Sequence, residues 1–127
     1  MIGWPRSIRV WAYPEPVDLR RGFNGLIALV ENELGKDAVG GDLYLFVNRK
    51  RTIAKVLMHD GTGIAIYMKR LTAGRFAALW LRHRAGAIKL TSNELALFLE
   101  GSPYAGRAPL SPPTISARGA VDSRSRV

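Results

Sequence analysis

Two apolar runs separated by an Asp-Gly turn constrain the fold of this chain more than any other feature. Residues 52–59 and 64–70 are rich in apolar and β-branched side chains, and the residues between them read Asp-Gly-Thr-Gly. This pattern predicts a tight β-hairpin, because glycine readily adopts the positive φ that such a turn requires. The predicted register places Gly61 and Thr62 at the tip of the hairpin. On one face it pairs His59 with Ile64, Leu57 with Ile66 and Lys55 with Met68. On the other face it pairs Met58 with Ala65, Val56 with Tyr67 and Ala54 with Lys69.

A helix is predicted before the hairpin. Apolar residues recur at helical spacing from Leu19 to Leu34, which lines one face of an α-helix. Asp18 precedes the pattern as a candidate N-cap, and Gly35 follows it where a helix would end. Further strands are predicted at residues 8–13 and 43–47.

A second helix is predicted after the hairpin. Thr91 and Glu94 have the spacing of a capping box, and Gly101 is placed to end the helix. A short helix around residues 74–81 and a short strand at residues 87–89 complete the pattern. The chain is therefore predicted to be an α+β protein, with a small, mostly antiparallel sheet of about four strands on which an N-terminal amphipathic helix and a C-terminal helix pack.

The length of 127 residues suits one domain. We expect this domain to occupy residues 1–101. Residues 102–127 are rich in proline and serine and contain few clustered apolar side chains, so we expect a flexible, mildly basic tail. The chain has no cysteine and no apolar run of membrane-spanning length, and arginines interrupt its apolar N-terminus. These features suggest a cytoplasmic protein that does not bind membranes.

Positive charge is concentrated in the middle of the chain. The net charge is +9, and residues 1–42 are nearly neutral, with five basic and six acidic side chains. Residues 43–93 instead hold ten basic side chains and one acidic side chain. A surface so dominated by one sign suggests a polyanionic partner such as nucleic acid.

The densest basic cluster is predicted at one end of the hairpin. The sequence Asn-Arg-Lys-Arg, residues 48–51, lies between two predicted strands, and the hairpin register places it near Lys69 and Arg70. We therefore expect phosphate contacts from Arg49, Lys50, Arg51, Lys55, Lys69, Arg70 and Arg75. Three aromatic residues on the strands, Tyr44, Phe46 and Tyr67, could stack on bases, although their spacing is more typical of a core.

Catalytic interpretations of the chain are weak. A metal-dependent nuclease needs clustered carboxylates, and the basic region offers only Asp60. His59 and Asp60 are adjacent on a strand and point to opposite faces, so they cannot readily form a catalytic relay. The glycines at 61 and 63 lack the spacing of a phosphate-binding loop and join strand to strand. We expect no enzymatic activity, no catalytic residue, no metal and no cofactor.

Several sequence blocks together resemble a family of accessory proteins from mobile DNA. The blocks read DLRRGFNGL, GDLYLFV, NRKRTIAKVL, DGTG, KRLTAGRF and LTSNELALFLEG. They are similar to the TnpB-type protein encoded by the second reading frame of the insertion-sequence-66 family of bacterial transposable elements. The resemblance spans roughly residues 8–101. Two features depart from the family pattern: His59 stands where an aromatic residue usually precedes Asp-Gly, and the sequence AALW, residues 77–80, replaces a Trp-Pro pair.

The resemblance implies an accessory role in transposition beside a separate transposase in a bacterial cell, and no catalytic residue is carried over from it. Together with the positive charge, it leads us to expect association with the nucleoid. Combined with the charge distribution, it leads to the hypothesis of a non-enzymatic protein that binds DNA through a basic face. The alternative is an adaptor that binds the transposase or another element-encoded protein without contacting DNA. The sequence leaves the oligomeric state open.

Overall fold

The structure is a computed structural model that describes residues 7–82, 86–101, 104–105 and 108–109. Its strands and helices, in chain order, are β1 (Val10–Ala12), α1 (Phe23–Ala28), a π-helical turn (Leu29–Glu33), β2 (Leu43–Val47), β3 (Ile53–His59), β4 (Ile64–Arg70), a 3₁₀ turn (Leu79–Arg82), β5 (Ile88–Leu90), α2 (Ser92–Leu99), β6 (Tyr104–Ala105) and β7 (Ala108–Pro109). The predicted α+β class is confirmed.

The main sheet has five strands in the order β4-β3-β2-β1-β5. The sheet therefore has one strand more than the four or so that the sequence predicts. Neighbouring strands are antiparallel except β1 and β2, which are parallel. Parallel neighbours need a crossover connection, and the segment containing α1 supplies it between β1 and β2. The sheet is thus mixed, with its one parallel pair at the β1–β2 contact.

The hairpin forms with the predicted register. His59 lies opposite Ile64 at the turn, and Lys55 lies opposite Met68. The Asp60 amide donates to the Gly63 carbonyl over 3.0 Å. Gly61 adopts a φ of 103°, which few other residues tolerate. The Asp-Gly turn is therefore consistent with the observed alignment of β3 and β4.

Both faces of the sheet are covered. On one face, here the α1 face, Tyr44, Phe46 and Leu57 pack with Leu26 and Val30. On the opposite face, here the α2 face, alternate residues of the same strands pack with side chains of α2. All five residues of β2 are buried. A continuous apolar strand of this kind is typical of a position inside a sheet with both faces covered.

Helix α1 begins later than predicted. Its N-cap is Gly22 and not Asp18. The Asp18 carboxylate instead accepts from the amide and the guanidinium of Arg20, and the Arg21 amide donates to the Asp18 carbonyl. Residues 18–21 therefore form a turn of their own, and the helix starts at Phe23.

The end of this helix is as predicted. The Leu34 amide donates to the Leu29 carbonyl, five residues back, so the last turn is wider than an α-helical one. Gly35 then adopts a φ of 65° and ends the helix. Leu26 and Val30 are buried as the periodicity predicts, but Phe23, in the first turn, is 51% exposed.

Helix α2 begins with the predicted capping box. The Glu94 amide donates to the Thr91 hydroxyl over 3.0 Å, and the Thr91 amide donates to the Glu94 carboxylate over 2.8 Å. Leu95, Phe98 and Leu99 are buried against the sheet. Upstream, the helix predicted around residues 74–81 is a short 3₁₀ turn, and the strand predicted at residues 87–89 is shifted by one residue.

Beyond α2, β6 and β7 pair with each other in an antiparallel two-stranded sheet. Residues 110–127, most of the expected flexible tail, lie outside the described residues. The boundary at residue 101 stays a prediction. Within the described ranges, no helix combines the length and apolar character needed to cross a membrane.

The capping box gives a direct test of the fold. Thr91→Ala should destabilise the protein by about 1 kcal/mol, because the Glu94 amide loses its acceptor at the helix start. Thr91→Ser keeps a hydroxyl and should lose much less. Urea unfolding of both variants measures the difference, and equal midpoints for the two would contradict the role given to the hydroxyl.

Candidate nucleic-acid interface

The turn between β2 and β3 presents two of the predicted cations at its tip. Asn48 holds this turn: its side-chain oxygen accepts from the amides of Thr52 and Ile53 over 2.9 and 3.1 Å. Its side-chain nitrogen donates to the Thr52 hydroxyl over 3.2 Å. Arg49 and Lys50 are exposed at the tip as a result.

Arg51, the third cation of this turn, binds the neighbouring loop. Its backbone is in the left-handed region with a φ of 60°, an uncommon conformation for a residue with a Cβ. The Arg51 guanidinium donates to the Phe76 carbonyl over 3.2 Å, and the Phe76 amide donates to the Arg51 carbonyl over 2.7 Å. Burial, and secondarily the charge of Arg75, lowers the pKa of Arg51. Arg51 thus fixes the loop that carries Arg75.

Two predicted lysines bind backbone carbonyls on opposite faces of the sheet. On the α1 face, the Lys55 ammonium donates to the Arg21 carbonyl over 2.9 Å, just before α1. On the α2 face, the Lys69 ammonium donates to the Leu99 carbonyl over 2.6 Å, in the last turn of α2. A positive charge there also interacts favourably with the helix dipole. Both lysines connect a helical segment to the sheet.

Four predicted cations remain exposed: Arg49, Lys50, Arg70 and Arg75. The ion pairs among the described residues join Arg9 to Asp42 and Arg20 to Asp18, and neither involves these four side chains. Of the seven predicted site residues, the structure therefore brings four to the surface without a carboxylate partner in the described chain. It assigns backbone contacts to the other three.

An open groove of 890 Å³ lies beside three of these cations, Arg49, Lys50 and Arg70. Arg20, Arg49, Lys50 and Arg70 contribute to its walls, and apolar side chains, including Leu19, Ile53 and Met68, contribute the rest. Met68 is 58% exposed. The groove thus combines an apolar surface with positive charge.

Arg20 and the groove itself were missed by the sequence analysis. Arg20 reaches the groove because the Val17 amide donates to the Val47 carbonyl over 2.9 Å, which places residues 16–20 beside the end of β2. Asp18 partly neutralises Arg20, and its hydrogen bonds from Arg20 lower its pKa to about 2. The Asp-Leu-Arg-Arg block was visible in the sequence, but its proximity to residues 48–53 was not.

The residues that looked catalytic serve the hairpin turn. The Asp60 carboxylate accepts from the amides of Thr62 and Gly63, each over 3.0 Å, and these bonds lower its pKa. The Gly61 amide donates to His59 Nδ1 over 3.3 Å. No cluster of three or more potential metal ligands occurs in the part of the chain that the structure describes.

The candidate stacking aromatics belong mainly to the core. Tyr44 and Phe46 are fully buried on the α1 face, and Tyr67 is half-buried on the α2 face. The Tyr44 hydroxyl donates to the Asp37 carbonyl, and its ring packs in the core on the α1 face. The core interpretation of their strand spacing is the correct one for Tyr44 and Phe46.

The neighbours Lys69 and Arg70 should differ in what they stabilise. Lys69→Met removes the bond to the Leu99 carbonyl and should lower the free energy of unfolding by about 1.5–3 kcal/mol, the range for hydrogen bonds to charged groups. Arg70→Met, at an exposed side chain, should change it by less than about 0.5 kcal/mol. Urea unfolding compares the two variants. Equal losses of unfolding free energy in the two variants would contradict a stabilising role for the Lys69 hydrogen bond.

The sequence comparisons identify relatives along most of the chain. The family model for IS66 Orf2-like proteins matches residues 8–108. The uncharacterized protein y4jC of Sinorhizobium fredii (strain NBRC 101917 / NGR234) is 33% identical over 116 residues, covering 90% of this chain and 97% of its own. The uncharacterized protein y4hO of the same strain is 33% identical over 101 residues, covering 80% and 86%. No solved structure matches significantly. This chain belongs to the family of IS66 Orf2-like proteins.

Proposed function

We propose that this protein assists transposition by binding DNA phosphates with the exposed cations at the β2–β3 end of its sheet. Membership in the IS66 Orf2-like family implies the accessory role in transposition. The observation that supports DNA as the partner is the set of exposed cations, Arg49, Lys50, Arg70 and Arg75, without a carboxylate partner in the described chain.

Exposed cations without a protein partner contribute most to the binding of a phosphate, because they lose no existing contact. A cation that neutralises a phosphate releases condensed counterions, and this release drives much of protein–DNA association. Lys55, Lys69 and Arg51 would first have to leave their backbone carbonyl partners. The proposed contact set is therefore smaller than the seven residues that the sequence suggests.

Binding through these residues should be largely independent of base sequence. Arginine and lysine contacts to phosphates position a protein on DNA but do not read base edges. The nearest amide side chain, Asn48, which could otherwise read adenine, already holds the β2–β3 turn with both of its polar atoms. The proposal is a backbone-binding protein that leaves target choice to the transposase.

Salt dependence tests the proposal quantitatively. With four phosphate contacts, the logarithm of the affinity for duplex DNA should fall with the logarithm of salt concentration at a slope of about −4. Lys50→Gln or Arg70→Gln should each weaken binding and reduce the slope by about 1. Fluorescence anisotropy with terminal-repeat and random duplexes at several salt concentrations measures both quantities.

Lys89→Gln is the matched control, because it removes the same charge from an exposed lysine on β5, at the far side of the sheet. It should leave the slope unchanged. A flat salt dependence in the native protein, or equal effects of Lys50→Gln and Lys89→Gln, would contradict the proposed interface.

The apolar part of the groove supports a second candidate, an adaptor for a protein partner. Leu19, Ile53 and Met68 lie between the cations, and an acidic amphipathic segment of the transposase would match both features. Pull-down with the transposase from nuclease-treated lysate separates the two functions. Retention of the transposase without DNA, with no salt-sensitive DNA binding by the purified protein, would favour the adaptor.

A further inference from the structure

In the part of the chain that the structure describes, no strand pairs with the outer edge of β4, so this strand has a neighbour on one side only. Exposed edges invite pairing with another chain, and proteins usually block them with short strands, proline, bulges or charge. At the other edge, β5 has three residues with an exposed lysine at its centre. In contrast, β4 has seven residues, no proline and charge only at its last two positions.

The hydrogen bonds of the hairpin establish which backbone groups point outward. Bonds from the Leu71 amide to the Thr52 carbonyl and from the Asp60 amide to the Gly63 carbonyl mark the two ends of the ladder. Because hydrogen-bonded and non-hydrogen-bonded pairs alternate in an antiparallel ladder, residues 65, 67 and 69 of β4 bond to β3. The amides and carbonyls of Ile64, Ile66, Met68 and Arg70 therefore face away from the sheet.

We propose that β4 pairs with β4 of a second copy of this chain, in an antiparallel register centred on Tyr67. In this register Ile64 lies opposite Arg70 of the second copy, and Ile66 lies opposite its Met68. These are the residues with outward-facing backbone groups, so all four can form hydrogen-bonded pairs across the interface. A shift by two residues in either direction would reduce the number of such pairs.

The charge pattern of β4 also fits a second copy. Lys69 and Arg70 occupy the C-terminal end of the strand, and residues 64–68 carry no charge. An antiparallel pair therefore places each cation opposite an uncharged residue and keeps the two basic ends apart, which avoids like charges directly across the interface. The exposed Met68 side chain would lie beside Ile66 of the second copy on the same face.

The resulting dimer has one continuous sheet of ten strands. The twofold axis is perpendicular to this sheet, so the two basic grooves open on the same side. At about 3.4 Å per residue, the two Arg70 residues lie roughly 20 Å apart along the strands. The proposal does not depend on the proposed DNA binding, because it rests on the backbone pattern and the charge distribution of β4.

Cysteine cross-linking tests the register, since the native chain contains no cysteine. In Tyr67→Cys, the two cysteines form a non-hydrogen-bonded pair with Cα atoms about 4.5 Å apart, within the range of a disulfide. In Met68→Cys, the two cysteines are offset by two residues and lie about 8 Å apart, beyond that range. Mild oxidation should link the first variant into a dimer and leave the second unlinked.

Light scattering over a concentration series tests the association itself. The native chain should approach twice its mass of 14.0 kDa, and Met68→Pro should remain a monomer. The proline removes an outward-facing amide without removing a bond to β3, and circular dichroism should confirm that this variant is folded. If Met68→Pro does not fold, the cross-linking of the two cysteine variants still tests the pairing of β4 with β4.

A native chain that stays monomeric at every concentration would overturn the proposal. So would equal cross-linking of Tyr67→Cys and Met68→Cys, which indicates random collision, or cross-linking of Met68→Cys alone, which indicates another register. Slow hydrogen exchange at Ile66 and Met68 in a monomer would also overturn it, since it would place another segment of the same chain on this edge.

Discussion

The burial of β2 on both faces is the constraint on which the rest of the structure depends. Its five residues, Leu43–Val47, are all buried, which requires a covering layer on each side of the sheet. The π-extended helix α1 supplies one layer and α2, with the preceding 3₁₀ turn, supplies the other. The crossover through α1 brings β1 back beside β2 as its parallel neighbour. Since both faces are occupied, the ends and outer edges of the sheet are left to meet partners.

The features that sequence analysis predicted correctly are those determined by neighbouring residues. The hairpin register follows from the Asp60–Gly63 turn, and the start of α2 follows from the Thr91 capping box. The start of α1 was predicted wrongly because Asp18 accepts from Arg20 and Arg21 in a separate turn that precedes the helix. The parallel pairing of β1 with β2 depends on the path of the whole crossover, and no local pattern encodes that path.

The candidate site shows the same division. The cations at 49, 50, 70 and 75 are predictable from the sequence because they stand in its densest basic segment. Lys55 and Lys69 look the same in the sequence, since their carbonyl partners lie 34 and 30 residues away. Arg20 is not predictable, because it reaches the groove through the hydrogen bond between Val17 and Val47. Charge counting along a sequence thus identifies the region of a basic surface, whereas tertiary hydrogen bonds determine which cations belong to it.

The hairpin turn also determines which partner each cation faces. Lys69 and Arg70 are adjacent in sequence, but the pleat directs one towards the end of α2 and the other towards the groove. A slip of one residue in the pairing of β3 with β4 would exchange these two directions. Such a slip would present lysine to the groove and arginine to the helix, although the composition and the net charge would be unchanged. The pairing register that this turn sets is therefore itself a determinant of the surface that faces a partner.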